Sequence, residues 1–387
     1  MINLDNLDSC SGCGACMNIC PKNAIFMKPD SSGFLYPVID ETRCVDCSMC
    51  DSACQINKSS SACSYQEKYY ALINKDEKHL KVSSSGGAFL AVAKCVFDAD
   101  GVVVGCAFDD QQRAVHIATR SLDECIDKLC GSKYVQSDTQ CIYKDTKKYL
   151  NEKKKVLFVG TPCQIEGLLL YLKERPNNLV TMDLICHGVS SPLLWEKHKD
   201  YLEKKVHAKI NKYRFRGKEK AGWALYYYYY YGKKNRCKKG PSVLDRYYTD
   251  FLNGVNYRES CYRCKFANTE RVGDITIGDF WGAEKFLEKA DYRKGVSLIM
   301  VNTERGKQLL EQVSNNVYLH EVTKENAIAY NHNLIAPTSR PGKRDCYYRL
   351  CFADFEKWER EYVETRDWKI AKLKSRIPCW IKKVLKR

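Results

Sequence analysis

The sequence of 387 residues lacks several patterns that define common classes of protein. No apolar run approaches the ~20 residues that a membrane-spanning helix needs. Its first residues, MINLDNLDS, contain neither a basic start nor an apolar stretch, so they do not resemble a secretory signal peptide, and we expect a cytoplasmic protein. Because neither a Walker loop nor a G-x-G-x-x-G fingerprint occurs, a Rossmann-type cofactor domain has no sequence support.

Three further absences concern chemistry. No Cys-x3-Cys-x2-Cys motif occurs, so radical S-adenosylmethionine chemistry is unsupported. Neither a zinc finger nor an RNA-binding aromatic motif accompanies the net charge of +16, and we predict no nucleic-acid partner. No side chain stands out as a general acid or base, because His187 fits the orientation of its loop equally well, and Asp274 and Asp279 fit turn geometry better. The catalytic residues therefore stay unassigned.

What the chain contains in excess is cysteine. Eight of its 22 cysteines stand in the first 54 residues as two copies of one spacing, CSGCGACMNIC and CVDCSMCDSAC. In bacterial ferredoxins with this spacing, three thiolates bind one 4Fe-4S cluster and the fourth binds the neighbouring cluster. The crossed assignment gives Cys10, Cys13, Cys16 and Cys54 (the first set) to one cluster. It gives Cys44, Cys47, Cys50 and Cys20 (the second set) to the other.

Two other uses of these eight cysteines fit less well. A disulfide framework would need an oxidising compartment, for which the N-terminus offers no signal. Zinc would take its ligands as two pairs, whereas these come as triplets plus one, with Pro21 directly after Cys20. One departure from the ferredoxin pattern is Gln55, which stands where a second proline is usual. It affects the loop after the ligand and not ligation.

Charge is distributed unevenly along the chain. Residues 1–58, which we call the head, contain four Lys/Arg and seven Asp/Glu, a net charge of −3, whereas the whole chain carries +16. The remainder, which we call the body, is therefore strongly basic. Such a body would attract an acidic redox partner or a polyanionic coenzyme, and the alternative is a solvated basic surface.

Beyond a polar linker at residues 57–64, the pattern alternates between strands and helices. YYALIN (69–74) and DGVVVGCAFD (100–109) predict strands, and SSSGGAFLAVAKCVF (83–97) predicts a loop that opens a helix. Strand, helix, strand is the order of an α/β domain. Hydroxyls and two glycines at a helix start expose backbone N–H groups, so SSSGG fits a phosphate; a plain N-cap with a tight turn fits equally well.

A third region begins near residue 153. KKVLFVGTPCQIEGLLLYLKE predicts a strand, a sharp turn and a helix with Cys163 at its N-terminus, where the dipole would lower the pKa of the thiol. LICHG places Cys186 beyond the next strand, CYRCKF supplies Cys261 and Cys264, and VGDITIGDFWG (272–282) is predicted to be rich in loops. Isolated cysteines are most often buried structural residues. The Cys-x2-Cys pair argues against that here, and zinc is the remaining alternative.

At these motifs the chain resembles a known family. GTPCQIEGLL, LICHG, YRFRGK, CYRCKFA and GDITIGDFWG, in this order and preceded by SSSGGAF and GSKY, are similar to the beta subunits of coenzyme F420 hydrogenases and dehydrogenases. The resemblance covers roughly residues 68 to 305, and many members carry a two-cluster ferredoxin domain in front. It implies an FAD and iron–sulfur core, whereas hydride donors and substrates differ among members.

The resemblance also implies roles for particular residues. Four cysteines match the motif positions that would bind a third 4Fe-4S cluster: Cys163, Cys186, Cys261 and Cys264. The loop expected near the flavin is matched by Ser84, Ser85, Gly86 and Gly87. Lys133 of GSKY is expected to contact the flavin as well. Arg214 and Arg216 of YRFRGK fit either a flavin pyrophosphate or a solvated strand edge.

The predicted function is an electron relay by an oxidoreductase. A flavin exchanges electrons in pairs and a cluster exchanges them singly, so FAD would connect a two-electron donor or acceptor with a one-electron partner. The alternative is an electron-transfer subunit that serves a partner enzyme and has no substrate of its own. Expected partners are a ferredoxin or an enzyme subunit, and an acidic deazaflavin coenzyme.

The expected architecture combines α+β and α/β units. Residues 1–58 form a bacterial-ferredoxin-like domain, residues 65–150 and 151–335 form the two parts of a mixed α/β flavin and iron–sulfur core, and residues 336–387 form a basic helical tail. The tyrosine run Tyr226–Tyr231 is expected to be a strand with tyrosines on both faces, not a base-stacking platform. The end, RIPCWIKKVLKR, either packs its apolar edge on the body or makes weak contact with an anionic membrane surface.

Overall fold

The computed structural model describes residues 7–59, 65–219, 222–287 and 292–376. The linker beyond residue 59 and all but the first residue of RIPCWIKKVLKR lie outside the described residues. The strands are β1 Ile25–Pro29, β2 Leu35–Ile39, β3 Lys68–Asn74, β4 Val102–Phe108, β5 Ala114–Thr119, β6 Val156–Gly160, β7 Leu179–Leu184, β8 Ile210–Arg214, β9 Tyr226–Tyr231, β10 Arg236–Pro241, β11 Ile275–Asp279, β12 Ser297–Val301 and β13 Val317–Val322. The helices are α1 Ala15–Ile19, α2 Met49–Ser52, α3 Glu77–Val82, α4 Ala88–Asp98, α5 Leu122–Lys128, α6 Ile142–Asn151, α7 Pro162–Leu172, α8 Pro192–Val206, α9 Arg246–Leu252, α10 Glu304–Val313, α11 Lys324–Ile328, α12 Arg344–Ala353, α13 Phe355–Glu364 and α14 Arg366–Arg376.

The head has an internal repeat that follows its cysteine spacing. Its two strands, β1 and β2, pair antiparallel. Each short helix begins inside a cysteine triplet, after a residue in the left-handed region: Gly14 with φ 74° before α1 and Ser48 with φ 56° before α2. A Cβ on Gly14 would lie 2.2 Å from Thr139 Oγ1, so the close approach of the body also requires glycine there.

The body is built on one mixed sheet. Among the described residues its strand order is β13-β3-β12-β11-β7-β6-β4-β5, with β4, β6, β7 and β11 parallel and the outer strands antiparallel. The parallel strands are buried and rich in apolar residues, as expected for strands covered on both faces. Because β3, β4 and β5 share this sheet with β6, β7, β11, β12 and β13, both predicted parts of the core contribute to one structural unit. The predicted mixed α/β core is confirmed.

The two faces of the sheet pack against different partners. Val103 and Leu157 face a core formed with α4, α5 and α10, whereas Val104 and Phe158, one residue further along the same strands, face α6 and α7. The second core also contains Ala15, Ile19 and Ala53 of the head. The head is therefore packed on the α6–α7 face of the body.

A second, antiparallel sheet of β8, β9 and β10 carries the tyrosine run. Tyr227 and Tyr229 stack 6.1 Å apart, and Tyr226 contacts Tyr228 at 5.6 Å, so successive tyrosines alternate between the two faces as predicted. This sheet shares a core with α8, α9, α12 and α13. The predicted basic tail is thus helical up to residue 376, and its helices α12 and α13 pack into the body.

One local prediction is wrong. The segment 272–282 was expected to be rich in loops, yet Ile275–Asp279 forms β11 in the middle of the main sheet. Its β-branched residues Ile275, Thr276 and Ile277 pair with both β7 and β12. The glycines and aspartates that suggested loops lie at the two ends of this short buried strand. None of the described helices combines the length and apolarity needed to cross a membrane.

Candidate functional site

The first set of cysteines comes together in the head. Burial raises the pKa of Cys13 to about 11, a hydrogen bond from the Ala15 backbone lowers it in part, and Cys10 and Cys54 raise it further. The pKa of Cys16 is raised by burial and by the same neighbours. Cys54 thus lies beside the other three although it is far from them in sequence, as the crossed assignment requires.

The second set surrounds a separate small cavity. Cys20, Cys44, Cys47 and Cys50 all line it. Backbone N–H groups in both sets point at sulfur atoms: Gly12 N lies 3.4 Å from Cys10 Sγ, and Ala24 N lies 3.3 Å from Cys20 Sγ. Hydrogen bonds of this kind suit thiolate ligands and tune iron–sulfur clusters. The two sets therefore fit two 4Fe-4S clusters.

No cysteine in the described part of the chain forms a disulfide bond, so there is no disulfide framework there. Within the same residues, no three His, Cys, Asp or Glu side chains meet as the ligands of a single metal ion. The thiolates of a cubane bind separate irons of a larger inorganic core.

The body contains a large cavity of about 740 Å³, within the size range of ligand pockets. Four groups of residues line it: the loop with Ser84, Ser85 and Gly87, the loop with Gly131, Ser132 and Lys133, the four motif cysteines Cys163, Cys186, Cys261 and Cys264, and the head residues Ser9, Ser11, Gly12 and Gln55. The structure thus brings together loops that are far apart in sequence.

Cys163 follows β6 as the second residue of α7, as predicted. Thr161 caps this helix, and its hydroxyl lies 3.1 Å from Cys163 Sγ. The expected low thiol pKa is not found, because burial raises the pKa of Cys163 to about 12 although the hydrogen bond with Thr161 lowers it in part. Burial likewise raises the pKa of Cys261 to about 12. Buried thiolates at these positions need a cationic partner, which the irons of a cluster would supply.

The predicted flavin loop divides into cavity-lining and packing residues. Ser84 Oγ accepts a hydrogen bond from Ser132 N at 3.1 Å, which joins the two cavity loops. Gly87, with φ 84°, caps α4 without a side-chain hydrogen bond, so the helix N-terminus keeps unsatisfied N–H groups. Gly86 does not line the cavity. It lies against Leu72 and Ser297 of neighbouring strands, where a Cβ would be 2.1 Å from the Leu72 carbonyl oxygen.

Lys133 lines the cavity, but its ammonium group is fully engaged by the protein. Nζ donates to the carbonyl oxygens of Lys128, Leu129 and Cys130 at 3.1, 2.8 and 3.2 Å, at the C-terminal end of α5. These three bonds use the three donors of an ammonium group. Lys133 is therefore placed to shape the cavity wall, and its predicted contact with a flavin stays a prediction.

The cavity also contains residues that sequence patterns did not reveal. His116 on β5 is 3% exposed, and neither of its ring nitrogens has a hydrogen bond. Burial lowers the pKa of His116 to about 4, so the imidazole is neutral. A Cβ on Gly131 would meet nothing within 4 Å. An unpartnered buried imidazole and an open glycine loop fit a bound polar cofactor. A lone histidine in a strand carries no signal that would have found it.

The two arginines of YRFRGK differ in environment. Arg216 is buried in the cavity wall, with Nη1 2.7 Å from Asp279 Oδ2 and its guanidinium 5.3 Å from the ring centroid of Trp281. Arg214 pairs with Glu219 nearer the surface. Arg216 is thus held by a carboxylate beside the cavity, and the solvated-edge explanation does not apply to it.

Two stretches of the chain match known families. Residues 9–57 match the 4Fe-4S dicluster domain. Residues 153–327 match the C terminus of the beta subunit of coenzyme F420 hydrogenase/dehydrogenase. The predicted family resemblance is confirmed. The chain is an iron–sulfur electron-transfer protein related to the F420 hydrogenase beta subunit.

Two individual proteins that are similar to this chain each share less than 30% sequence identity with it. An uncharacterized protein of Methanocaldococcus jannaschii is 29% identical over 199 residues, which cover 43% of this chain and 53% of that protein, so the chain matches about half the length of this curated relative. A chain of the F420-reducing nickel–iron hydrogenase complex of Methanosarcina barkeri is 17% identical and superimposes with a TM-score of 0.44, covering 79% of this chain and 94% of that chain.

The dicluster domain joins the beta-subunit domain next to Cys163. The Gln55 side chain donates to Ser11 Oγ at 2.7 Å and to the Cys163 carbonyl oxygen at 3.0 Å. Lys265 donates in return to the Gln55 carbonyl oxygen at 2.6 Å. Each bond comes from the residue directly after a predicted ligand, Cys54 or Cys264. The unusual Gln55 therefore links the first set to the core cysteines, a role that its sequence position did not show.

Helix α7 approaches the dicluster domain closely at Gly167. A Cβ there would lie 3.0 Å from Cys13 Sγ and 3.2 Å from Tyr143 Oη. We expect Gly167→Leu to lower the free energy of unfolding by about 1–3 kcal/mol, because the added side chain overpacks this contact. Gly342→Leu is the control, since a Cβ on Gly342 meets nothing within 4 Å. Denaturant unfolding followed by fluorescence measures both, and equal effects would contradict the close contact.

Proposed function

We propose that the chain is an iron–sulfur flavoprotein oxidoreductase that relays electrons between a two-electron donor or acceptor and a one-electron partner. The observation that carries the proposal is the shared cavity, where the SSSGG loop, the Gly131–Lys133 loop, the core cysteines and the first-set loop of the dicluster domain meet. FAD in this cavity would exchange paired electrons with a substrate and single electrons with the clusters.

The residues of the chain would hold the carriers in order. Cys163, Cys186, Cys261 and Cys264 would bind a third 4Fe-4S cluster between the flavin site and the head. The first set lies next, because Cys13 contacts α7 at Gly167 and Gln55 bonds the Cys163 carbonyl. The second set lies farther from the cavity. This order gives a continuous path from the cavity through the head.

The partner would dock at the second set. Cys47 is exposed, and Val45 beside it is 56% exposed, which leaves this loop open to another protein. Asp46 and Asp51 give the surface negative charge, which would steer a carrier with a basic rim. A ferredoxin-type carrier or a subunit of a larger enzyme fits this surface.

The second candidate is an electron-transfer subunit that serves a partner enzyme and has no substrate of its own. The exposed loop of the second set fits it as well as the first candidate, because an electron exit is useful to either type of protein. Turnover of a reduced deazaflavin or a ferredoxin by the isolated chain would support the enzyme. Activity only after a partner subunit is added would support the second candidate.

The decisive experiment is a count of iron, acid-labile sulfide and flavin in anaerobically purified protein. We expect about twelve irons and one FAD, falling to about eight irons when the four core cysteines are all replaced by alanine. The matched control replaces four cysteines without ligand spacing: Cys95, Cys141, Cys237 and Cys346. The control should keep about twelve irons. Eight irons in every protein, with no flavin, would refute the proposal.

A further inference from the structure

Arg258 is a buried cation whose hydrogen-bond acceptors are all neutral. The residue is 0% exposed. Nε donates to the Cys10 carbonyl oxygen at 2.7 Å, and Nη1 donates to the Leu35 carbonyl oxygen at 3.0 Å and to Gln136 Oε1 at 3.4 Å. Nη2 is buried without a hydrogen bond. Within residues 7–59, 65–219, 222–287 and 292–376, no Asp or Glu forms an ion pair with it.

Burying a guanidinium in this way is unfavourable unless a negative charge lies nearby. The Tyr36 ring, whose centroid is 3.8 Å from the guanidinium carbon, compensates only in part through a cation–π contact. The remaining requirement is for an anion within reach of the guanidinium. A 4Fe-4S cluster held by four thiolates has a net negative charge and gains one more negative charge when it is reduced.

The position of Arg258 places it against the loop of the first cluster. Its Nε bonds the carbonyl of Cys10, and a Cβ on Gly12 would stand 3.2 Å from its Nη1. The body fixes the residue from the other side, since Arg258 N donates to the Val189 carbonyl oxygen at 2.9 Å. The cation therefore belongs to the body but lies directly under the ligand loop of the head.

We infer that Arg258 supplies the counter-charge of the first cluster and raises its reduction potential. A fixed positive charge favours the reduced, more negative state of the cluster, as it favours the charged form of any acidic group nearby. The cluster next to the core thus becomes easier to reduce only when head and body are joined. The inference rests on the proposed electron relay and identifies a residue that tunes it.

The test is a redox titration of the anaerobically purified, cluster-loaded full chain, monitored by electron paramagnetic resonance. We expect Arg258→Met to make the first cluster at least about tenfold harder to reduce, a negative midpoint shift of about 59 mV or more for a one-electron couple. Arg258→Lys keeps the charge and should shift the midpoint less. Arg43→Met is the control, because Arg43 is exposed beside Cys44 and is screened by water.

A second variant removes the effect without removing the arginine. Gln136→Glu places a carboxylate 3.4 Å from Arg258 Nη1, so it neutralises the cation with almost no change of shape. We expect the same negative shift of the first cluster. This variant decides the question if Arg258→Met fails to assemble its clusters.

The outcomes separate the two proposals. Absence of clusters from the unmodified protein refutes the proposed relay. The role of Arg258 is refuted if the clusters are present at full iron content and the midpoint potential of the first cluster is unchanged. This result would have to hold in both Gln136→Glu and Arg258→Met. A shift confined to another cluster refutes the role as well. A shift of the first cluster supports it, with or without a smaller shift of the core cluster, because the charge of Arg258 also acts on Cys261.

Discussion

Replacing Arg271 with methionine is expected to lower the free energy of unfolding by about 3–5 kcal/mol. Arg271 and Asp183 form a buried ion pair with side chains 1% and 0% exposed and Nη2 2.8 Å from Oδ1. Arg271 also donates to the carbonyl oxygens of Leu184 and Phe266 at 2.9 and 2.7 Å. Without the arginine, Asp183 becomes a buried charge with no cation to compensate it.

This ion pair also fixes the candidate site. Phe266 follows Cys264 by two residues, so the bond from Arg271 holds the loop that carries this cysteine. We therefore expect Arg271→Met to reduce the iron content of the core site as well as stability. Denaturant unfolding of the apoprotein and an iron count on the loaded protein measure the two effects separately.

An exposed ion pair provides the matched control. Arg113 pairs with Asp109 at 2.8 Å, but its side chain is 65% exposed, so Arg113→Met should change the free energy of unfolding by no more than about 1 kcal/mol. Removing both buried charges, with Arg271→Met and Asp183→Leu together, should recover part of the lost stability. Equal losses in the buried and exposed variants would show that Asp183 is not left uncompensated.

The sequence predicted the cluster-binding head because its spacing has a local physical meaning. Cysteines three residues apart can bind one inorganic core. They need a tight turn between them, and Gly14 indicates that turn in the first triplet. The strand and helix around Cys163 were also predictable, since an apolar run ends at Gly160 and Thr161 caps the next helix. These signals lie within a few residues of the features they predict.

The parts that could not be predicted depend on contacts between distant segments. Gln55 bonds Cys163 across 108 residues, and Arg258 bonds Cys10 across 248 residues. No local pattern distinguishes such residues from other polar residues in loops. The pKa of Cys163 was misjudged for the same reason, because the helix dipole is local whereas burial depends on the whole fold. Family motifs found the cysteines but not the residues that join head and body.

A buried histidine joins the C-terminal helices to the body. His198 on α8 lies with Nε2 3.0 Å from Asp245 Oδ2 and Nδ1 2.9 Å from Glu359 Oε1 on α13. Both carboxylates are acceptors, so only the doubly protonated ring donates to both. Burial lowers the pKa of His198, but attraction and hydrogen bonds from Asp245 and Glu359 outweigh burial and raise it to about 10.

The protonated His198 should therefore be a major contribution to stability at neutral pH. We expect His198→Gln to lower the free energy of unfolding by about 3–5 kcal/mol at a pH of about 6.5, because two buried carboxylates lose their cation. His320→Gln, on an exposed position of β13, is the control and should have little effect. Urea unfolding of the apoprotein at a series of pH values measures both variants.

The pH dependence of the free energy of unfolding distinguishes the loss of a charged histidine from a simple packing defect. The pKa of His198 is higher in the folded protein, about 10, than its ordinary value of 6.5, so its contribution is complete below pH 6.5 and is lost as the pH rises towards 10. The difference between the unmodified protein and His198→Gln should therefore shrink steadily over that range. A difference that stays constant with pH would mean that the variant loses only packing and that the ring is not charged in the native protein.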